Sequence, residues 1–274
     1  MKSRFSRIGV ALRFGGMAVV AVAGTLALSG SPAMAAPANP SPMSYTCTGG
    51  DFATGNLTLI PSGNYASITV TGACAPAPDA VINVIGNVNV ASGAVLDAQS
   101  APSTITVGHN VTAAPGSLVG LGCQPDFPHN TGHPCTIEPA GHSTITVDGN
   151  VTATGADTVL LNGITVIGNV TLTGGGGDIP WSIKNNMIAR NLTVSGVTAD
   201  WLGVLFNRIG GNTTLTNMTA TDPGDPGRLI FVVRNTIGRN LNCMDLAPGV
   251  SGGFFPGEVN TVGRNATGQC AALV

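Results

Sequence analysis

A short phrase returns along almost the whole chain, and it limits the fold more than any other feature of the sequence. It reads apolar-x-apolar, one or two small residues, Asn, then apolar residues alternating with Thr. It occurs as VINVIGNVNV around Asn87, ITVGHNVTA around Asn110, ITVDGNVTA around Asn150 and ITVIGNVTL around Asn169. MIARNLTV (Asn191), RIGGNTTL (Asn212), TIGRNLN (Asn240) and TVGRNAT (Asn265) continue it, and TGNLTL puts an earlier member at Asn56. Successive Asn residues are separated by 31, 23, 40, 19, 22, 21, 28 and 25 positions. The interval of 40 reads either as one repeat plus an insertion or as two repeats. A unit of roughly twenty residues is the period of a solenoid and longer than that of meandering hairpins.

Within each phrase the alternation has period two and Val, Ile and Thr dominate, which is strand chemistry. Asn, often after Gly, interrupts two strand pieces, and Gly-Asn tolerates the positive φ of a bend. The expected fold is all-β: a right-handed, single-stranded parallel β-helix of roughly nine coils after an N-terminal signal peptide. Equivalent strands would stack about 4.8 Å apart. The Asn of one coil would lie on the Asn of the next, because an amide both donates and accepts. Asn87, Asn110, Asn150, Asn169, Asn191, Asn212, Asn240 and Asn265 are the expected ladder. Asn186, Asn207, Asn235 and Asn260 each precede a bend Asn by five residues and form a second expected ladder, with Ile188, Ile209, Ile237 and Val262 pointing inward between the two. Apolar columns and amide ladders need few charges and few aromatics. Charged residues are 9% of the chain, against about 25% in an average domain.

These GN-[VL]-T phrases and the ending NTVGRNATGQC resemble uncharacterised secreted bacterial proteins built from parallel β-helix repeats. The bend Asn resembles the Asn ladder of the pectate lyase superfamily. The resemblance runs from about Cys47 to Cys270. It implies the fold and brings no activity with it, since the paired Asp cluster, the Gly-His-Gly and the Arg-x-Lys of polysaccharide lyases and hydrolases are missing.

The chain begins with Lys2, Arg4, Arg7 and Arg13, an apolar run MAVVAVAGTLALSG from Met17 to Gly30, and Ala33-Met34-Ala35. This is the pattern of a secretory signal peptide over 1–35, read by the general secretory route, followed by a flexible linker over 36–46 and the β-helix domain over 47–274. Removing the signal takes 4 of 11 basic residues and none of the 13 acidic ones, leaving 7 − 13 = −6. No Lys or Arg occurs between Ala36 and Ile183, so a nucleic-acid partner is disfavoured. No membrane attachment is expected once the signal is cleaved. Six cysteines in an exported chain argue for disulfides. Neighbours in sequence give the simplest set: Cys47–Cys74, Cys123–Cys135 and Cys243–Cys270, two of them stapling the ends.

Candidate chemistry is sparse. Trp181 and Trp201 lie about one repeat apart and could stack on sugar rings with Lys184, Asp178 and Asp200 nearby; the alternative, the commoner fate of a lone Trp, is that both plug the core or cover a coil junction. His129, His133 and His142 fall in CQPDFPHNTGHPCTIEPAGH, a proline-rich loop. Histidines with nearby carboxylates suit Zn²⁺, but prolines prevent one helix from presenting them together, and a disulfide-closed loop is the simpler reading. Arg190, Arg239 and Arg264 precede bend Asn residues and should fan into solvent. No catalytic residues are assigned, and no cofactor is expected; the run Gly174–Gly177 has no Lys-Ser/Thr after it. The first functional expectation is a non-catalytic exported surface or matrix protein displaying loops, foremost Cys123–His142. The second is a carbohydrate-binding or polysaccharide-degrading β-helix. A cell-wall or extracellular polysaccharide is the candidate partner. The state of assembly is not written in the sequence.

Overall fold

The computed structural model describes residues 41–222, 230–253 and 259–274. The expected signal peptide and residues 36–40 of the expected linker lie outside them. Residues 43–46 of the expected linker are strand: Met43–Cys47 pairs in parallel with Gly63–Val70.

The repeat phrase folds as expected for its alternation. The apolar-x-apolar half forms a first column of strands that includes Ala80–Val84, Ser103–Val107, Thr144–Val147, Met187–Ile188 and Thr261–Val262. The half after Asn forms a second column, from Val88–Val90 through Val111–Ala113, Val151–Thr154, Val170–Thr173, Leu192–Ser195, Thr213–Ala220 and Leu241–Ala247 to Ala266–Gly268. Segments between phrases supply a third column, among them Leu118–Leu121, Thr158–Asn162, Trp181–Lys184, Leu202–Leu205 and Ile230–Val233. Among the described residues these strands assemble into a nineteen-stranded and a nine-stranded sheet, each strand hydrogen-bonded in parallel to its equivalent one repeat later. This is the pairing that a parallel β-solenoid requires.

The core follows from register. In the first column Val84, Val107, Val147, Val166, Ile188, Ile209, Ile237 and Val262 are paired one after another, and all but Val262 are fully buried. The third column contributes Leu121, Leu161, Ile183, Val204 and Val232. Buried side chains from all three columns form one apolar cluster. The interval of 40 resolves as one repeat plus an insertion, because Val111 pairs directly with Val151.

Both amide ladders form. Asn110 donates from its backbone N–H and its Nδ2 to Asn87 Oδ1, and the same double bond repeats through Asn150, Asn169, Asn191, Asn212 and Asn240 at 2.8–3.3 Å. Asn265 closes the series with its backbone N–H on Asn240 Oδ1. The second ladder is buried and polarised the other way: Asn186 donates forward to Asn207 Oδ1, Asn207 to Asn235 and Asn235 to Asn260. Each of its amides also donates to a main-chain carbonyl, those of Leu161, Ile183, Val204 and Val232. Asn56 is not part of a ladder; its main chain bridges Asp51 in an exposed turn. The ladder position in the first repeats is serine instead, with Ser67 Oγ on Ser44 Oγ.

The glycines before bend Asn residues serve a different purpose from the one expected. Gly149 and Gly168 are not among the positive-φ residues. A Cβ there would stand 2.3 Å from His109 O and 2.2 Å from Gly149 O, so at these two repeats a side chain would require the backbone to shift, whereas His109, Arg190, Arg239 and Arg264 fill the same position in others. Positive φ belongs to the next corner, at Gly93, Gly116, Gly155, Gly174 and Gly196, and continues there in Asn217 and Asp245.

All three neighbour disulfides form: Cys47–Cys74, Cys123–Cys135 and Cys243–Cys270. The chain has no free cysteine, which is the usage of an oxidising, extracellular-type compartment. Among the described residues no helix is long and apolar enough to cross a membrane.

Candidate functional site

Some of the residues singled out in the sequence, Trp201, Lys184, His129 and His133, meet at the third column. Strands Leu118–Leu121, Leu202–Leu205 and Ile230–Val233 are buried at every position, so both faces of this sheet are covered. The cover is in part the Cys123–His142 segment. Much of it is exposed, but it is anchored to the sheet. Lys184 Nζ donates to Gly132 O, Asn185 Nδ2 to Thr131 O, Asn130 Nδ2 to Asn185 Oδ1, and the Arg234 guanidinium to His129 O. Asp126 accepts from the Gly132 N–H at 2.6 Å, and Gln124 and His133 exchange main-chain bonds. Burial lowers the Lys184 pKa, with Asp126 opposing. Burial and the nearby Lys184 charge lower that of His133, with Asp97 opposing.

The indole platform does not form. Trp181 pairs with Leu202, one residue beyond Trp201, and a one-residue offset sends two side chains to opposite faces of a sheet. Trp181 points inward, fully buried, its Nε1 donating to Asp157 O at 2.9 Å. Trp201 packs on the outer face against Phe231, ring centroids 5.5 Å apart, beside Leu205 and Val233. Asp178 is exposed and Asp200 half-buried, and the Asp200 N–H donates to Gly177 O, the main-chain bond of a parallel pair that sets Asp200 beside Asp178. Asp225 and Glu258 lie outside the described residues. His129 and His142 are exposed while His133 is half-buried, and among the described residues no group of three or more His, Cys, Asp or Glu is placed to hold a metal. Arg190, Arg239 and Arg264 are exposed, as expected.

The second column carries a site that sequence reasoning passed over. Its outward side chains are Asn89, Thr112, Thr152, Thr171, Thr193, Thr214, Asn242 and Thr267, paired in unbroken succession. Two residues on, Thr154, Thr173, Ser195 and Thr216 make a second outward row. With the half-exposed ladder they form a three-by-four net, and Asn150, Thr152, Asn169, Thr171, Asn191, Thr193, Asn212 and Thr214 line one shallow surface depression. Spacings follow from strand geometry, about 4.8 Å between repeats and about 6.6 Å along each strand. At the ends of the column hydroxyls are engaged, Thr112 with Asn89 and Thr267 with Asn242. Between them the hydroxyls of Thr152, Thr171, Thr193 and Thr214 make no hydrogen bond to another described residue. The net holds no ionisable group and no aromatic ring. Its signal in the sequence is the fourfold word N-x-T-x-[TS] at Asn150, Asn169, Asn191 and Asn212.

No protein-family model, curated protein or solved structure matches the chain.

Proposed function

We propose that this chain is an exported, non-catalytic β-helix whose Asn/Thr net is its working surface for a neutral, periodic, hydroxyl-bearing partner outside the cell. In this reading the three columns close as a right-handed helix of about nine coils. Residues 1–35 are a signal peptide taken by the general secretory route, and the Asn ladder is of the kind seen in the pectate lyase superfamily. The observation that carries the reading is the unbroken column Thr152–Thr171–Thr193–Thr214, whose uncommitted hydroxyls face out from a rigid scaffold. Threonine is stiff at χ1, so the hydroxyls are ordered before any partner arrives. The Cys123–His142 segment, tied to the third column, buttresses the rod. Polysaccharide degradation draws less support, since Trp181 is in the core and cannot stack on a sugar ring.

Adsorption of the mature, disulfide-intact chain to crystalline cellulose, crystalline chitin and growing ice tests the proposal. One of these surfaces should retain it, and Thr171→Lys with Thr193→Lys should release it. Retention that is indifferent to this pair, or no retention on any surface, contradicts it.

A further inference from the structure

The net itself narrows the partner. Resting on the reading that this face is the working surface, we infer that the ligand is the ordered water lattice of ice. Four observations lead there. First, the four central repeats of the second column are nearly constant where they face out and variable where they face in. Outward, the four central repeats read Thr-Thr, Thr-Thr, Thr-Ser and Thr-Thr; inward they read Val151-Ala153, Val170-Leu172, Leu192-Val194 and Thr213-Leu215. Core packing tolerates apolar exchange, so the packing of this fold does not account for a fixed outer row.

Second, the neighbouring face shows that strand propensity alone does not maintain such a row. The first column also has outward threonines, Thr106, Thr146 and Thr165, but Met187 and Arg208 then break it. Third, the net repeats in two dimensions, at about 4.8 Å and about 6.6 Å. A soluble sugar chain repeats in one direction only, and sugar rings are held by aromatic faces, which this surface lacks. A neutral crystal of water matches both the absence of charge and the two-way repeat. Fourth, each threonine offers a hydroxyl to complete the hydrogen bonds of lattice water and a methyl that excludes loose water beside it. The Asn ladder along one edge locks each repeat over the last, which holds the net in register.

The test uses the mature chain with its disulfides intact, in slowly grown ice and in a thermal-hysteresis measurement on single ice crystals. The inference predicts that the chain partitions into ice and separates the melting and freezing points. Thr171→Lys with Thr193→Lys abolishes both effects, whereas Thr106→Lys with Thr146→Lys, on the neighbouring face, leaves both intact. Exclusion of the wild-type chain from ice overturns the inference outright, whatever the variants do. If the chain is excluded from ice yet held by crystalline chitin or cellulose through the same threonines, the ice assignment falls and the working surface stands. If neither ice nor polymer retains it, both fall.

Discussion

At a single ladder position the environment decides what an amide is worth. Asn207 is fully buried; its Oδ1 accepts from the backbone N–H and Nδ2 of Asn186, and its own Nδ2 donates to Ile183 O and to Asn235 Oδ1. Asn207→Ala strands the Asn186 N–H and the Ile183 carbonyl away from water, a loss of about 2–6 kcal/mol at about 1–3 kcal/mol per orphaned group. Asn169 makes the same kind of bonds but is half-exposed, so water can replace the amide and Asn169→Ala should cost about 1 kcal/mol. Urea unfolding of the two variants should give that order, and equal losses would show that the ladders are equivalent. Gly196 isolates a backbone effect. Its φ is 67°, yet an added Cβ would meet nothing closer than 3.7 Å. Gly196→Ala should therefore lose about 1–2 kcal/mol from conformation alone, while Gly196→Asn, whose side chain tolerates this region, should lose less.

The element that responds to solution conditions is the Cys123–His142 segment on the third column. His133 sits below its usual pKa of 6.5 because burial disfavours the imidazolium and the Lys184 charge repels it, with Asp97 pulling the other way. The unfolded chain therefore binds this proton first. As pH falls through 6.5, stability drops, and it goes on dropping until the folded imidazole also protonates. Thermal melts from about pH 7.5 to 5 should show a steeper loss for the wild type than for His133→Gln, and parallel curves would contradict this account. Removing the clamp gives a second readout. Cys123→Ser with Cys135→Ser should raise amide exchange in 123–142 and along Trp181–Lys184, leaving the second column protected. Exchange spreading to the strands of all three columns would mean that the segment is integral to the fold.

Over the whole molecule, the parts of the fold that were legible in the sequence are those where a side chain must repeat at one register. Asn87 to Asn265 could be read because an amide column fails if a single member slips, and the disulfides because each closes within or between adjacent repeats. The offset of the Trp pair is itself written in the sequence: Trp181 stands ten residues before its bend Asn and Trp201 eleven before its own, a difference of one that reverses the face and favours the core for Trp181 over a platform. The docking of 123–142 was not legible, because Lys184 and Arg234 bind main-chain carbonyls that any sequence offers. Nor was the left-handed corner at Asn185, Phe206 and Arg234, where Phe and Arg are not turn residues and neighbouring ladder amides hold the backbone. The Thr net was visible as strand alternation, and its meaning emerged only once the register placed the repeats side by side.

Everything rests on coils that stack in parallel and in order. Pulsed electron-spin distances between a label at Thr112 and a second at Thr193, Thr214, Asn242 or Thr267 measure that stacking directly. The paired register predicts separations near 14, 19, 24 and 29 Å, about 4.8 Å more for each repeat whatever its length in sequence. Distances that fail to rise in that order, or that fall back as the chain returns on itself, would contradict the solenoid.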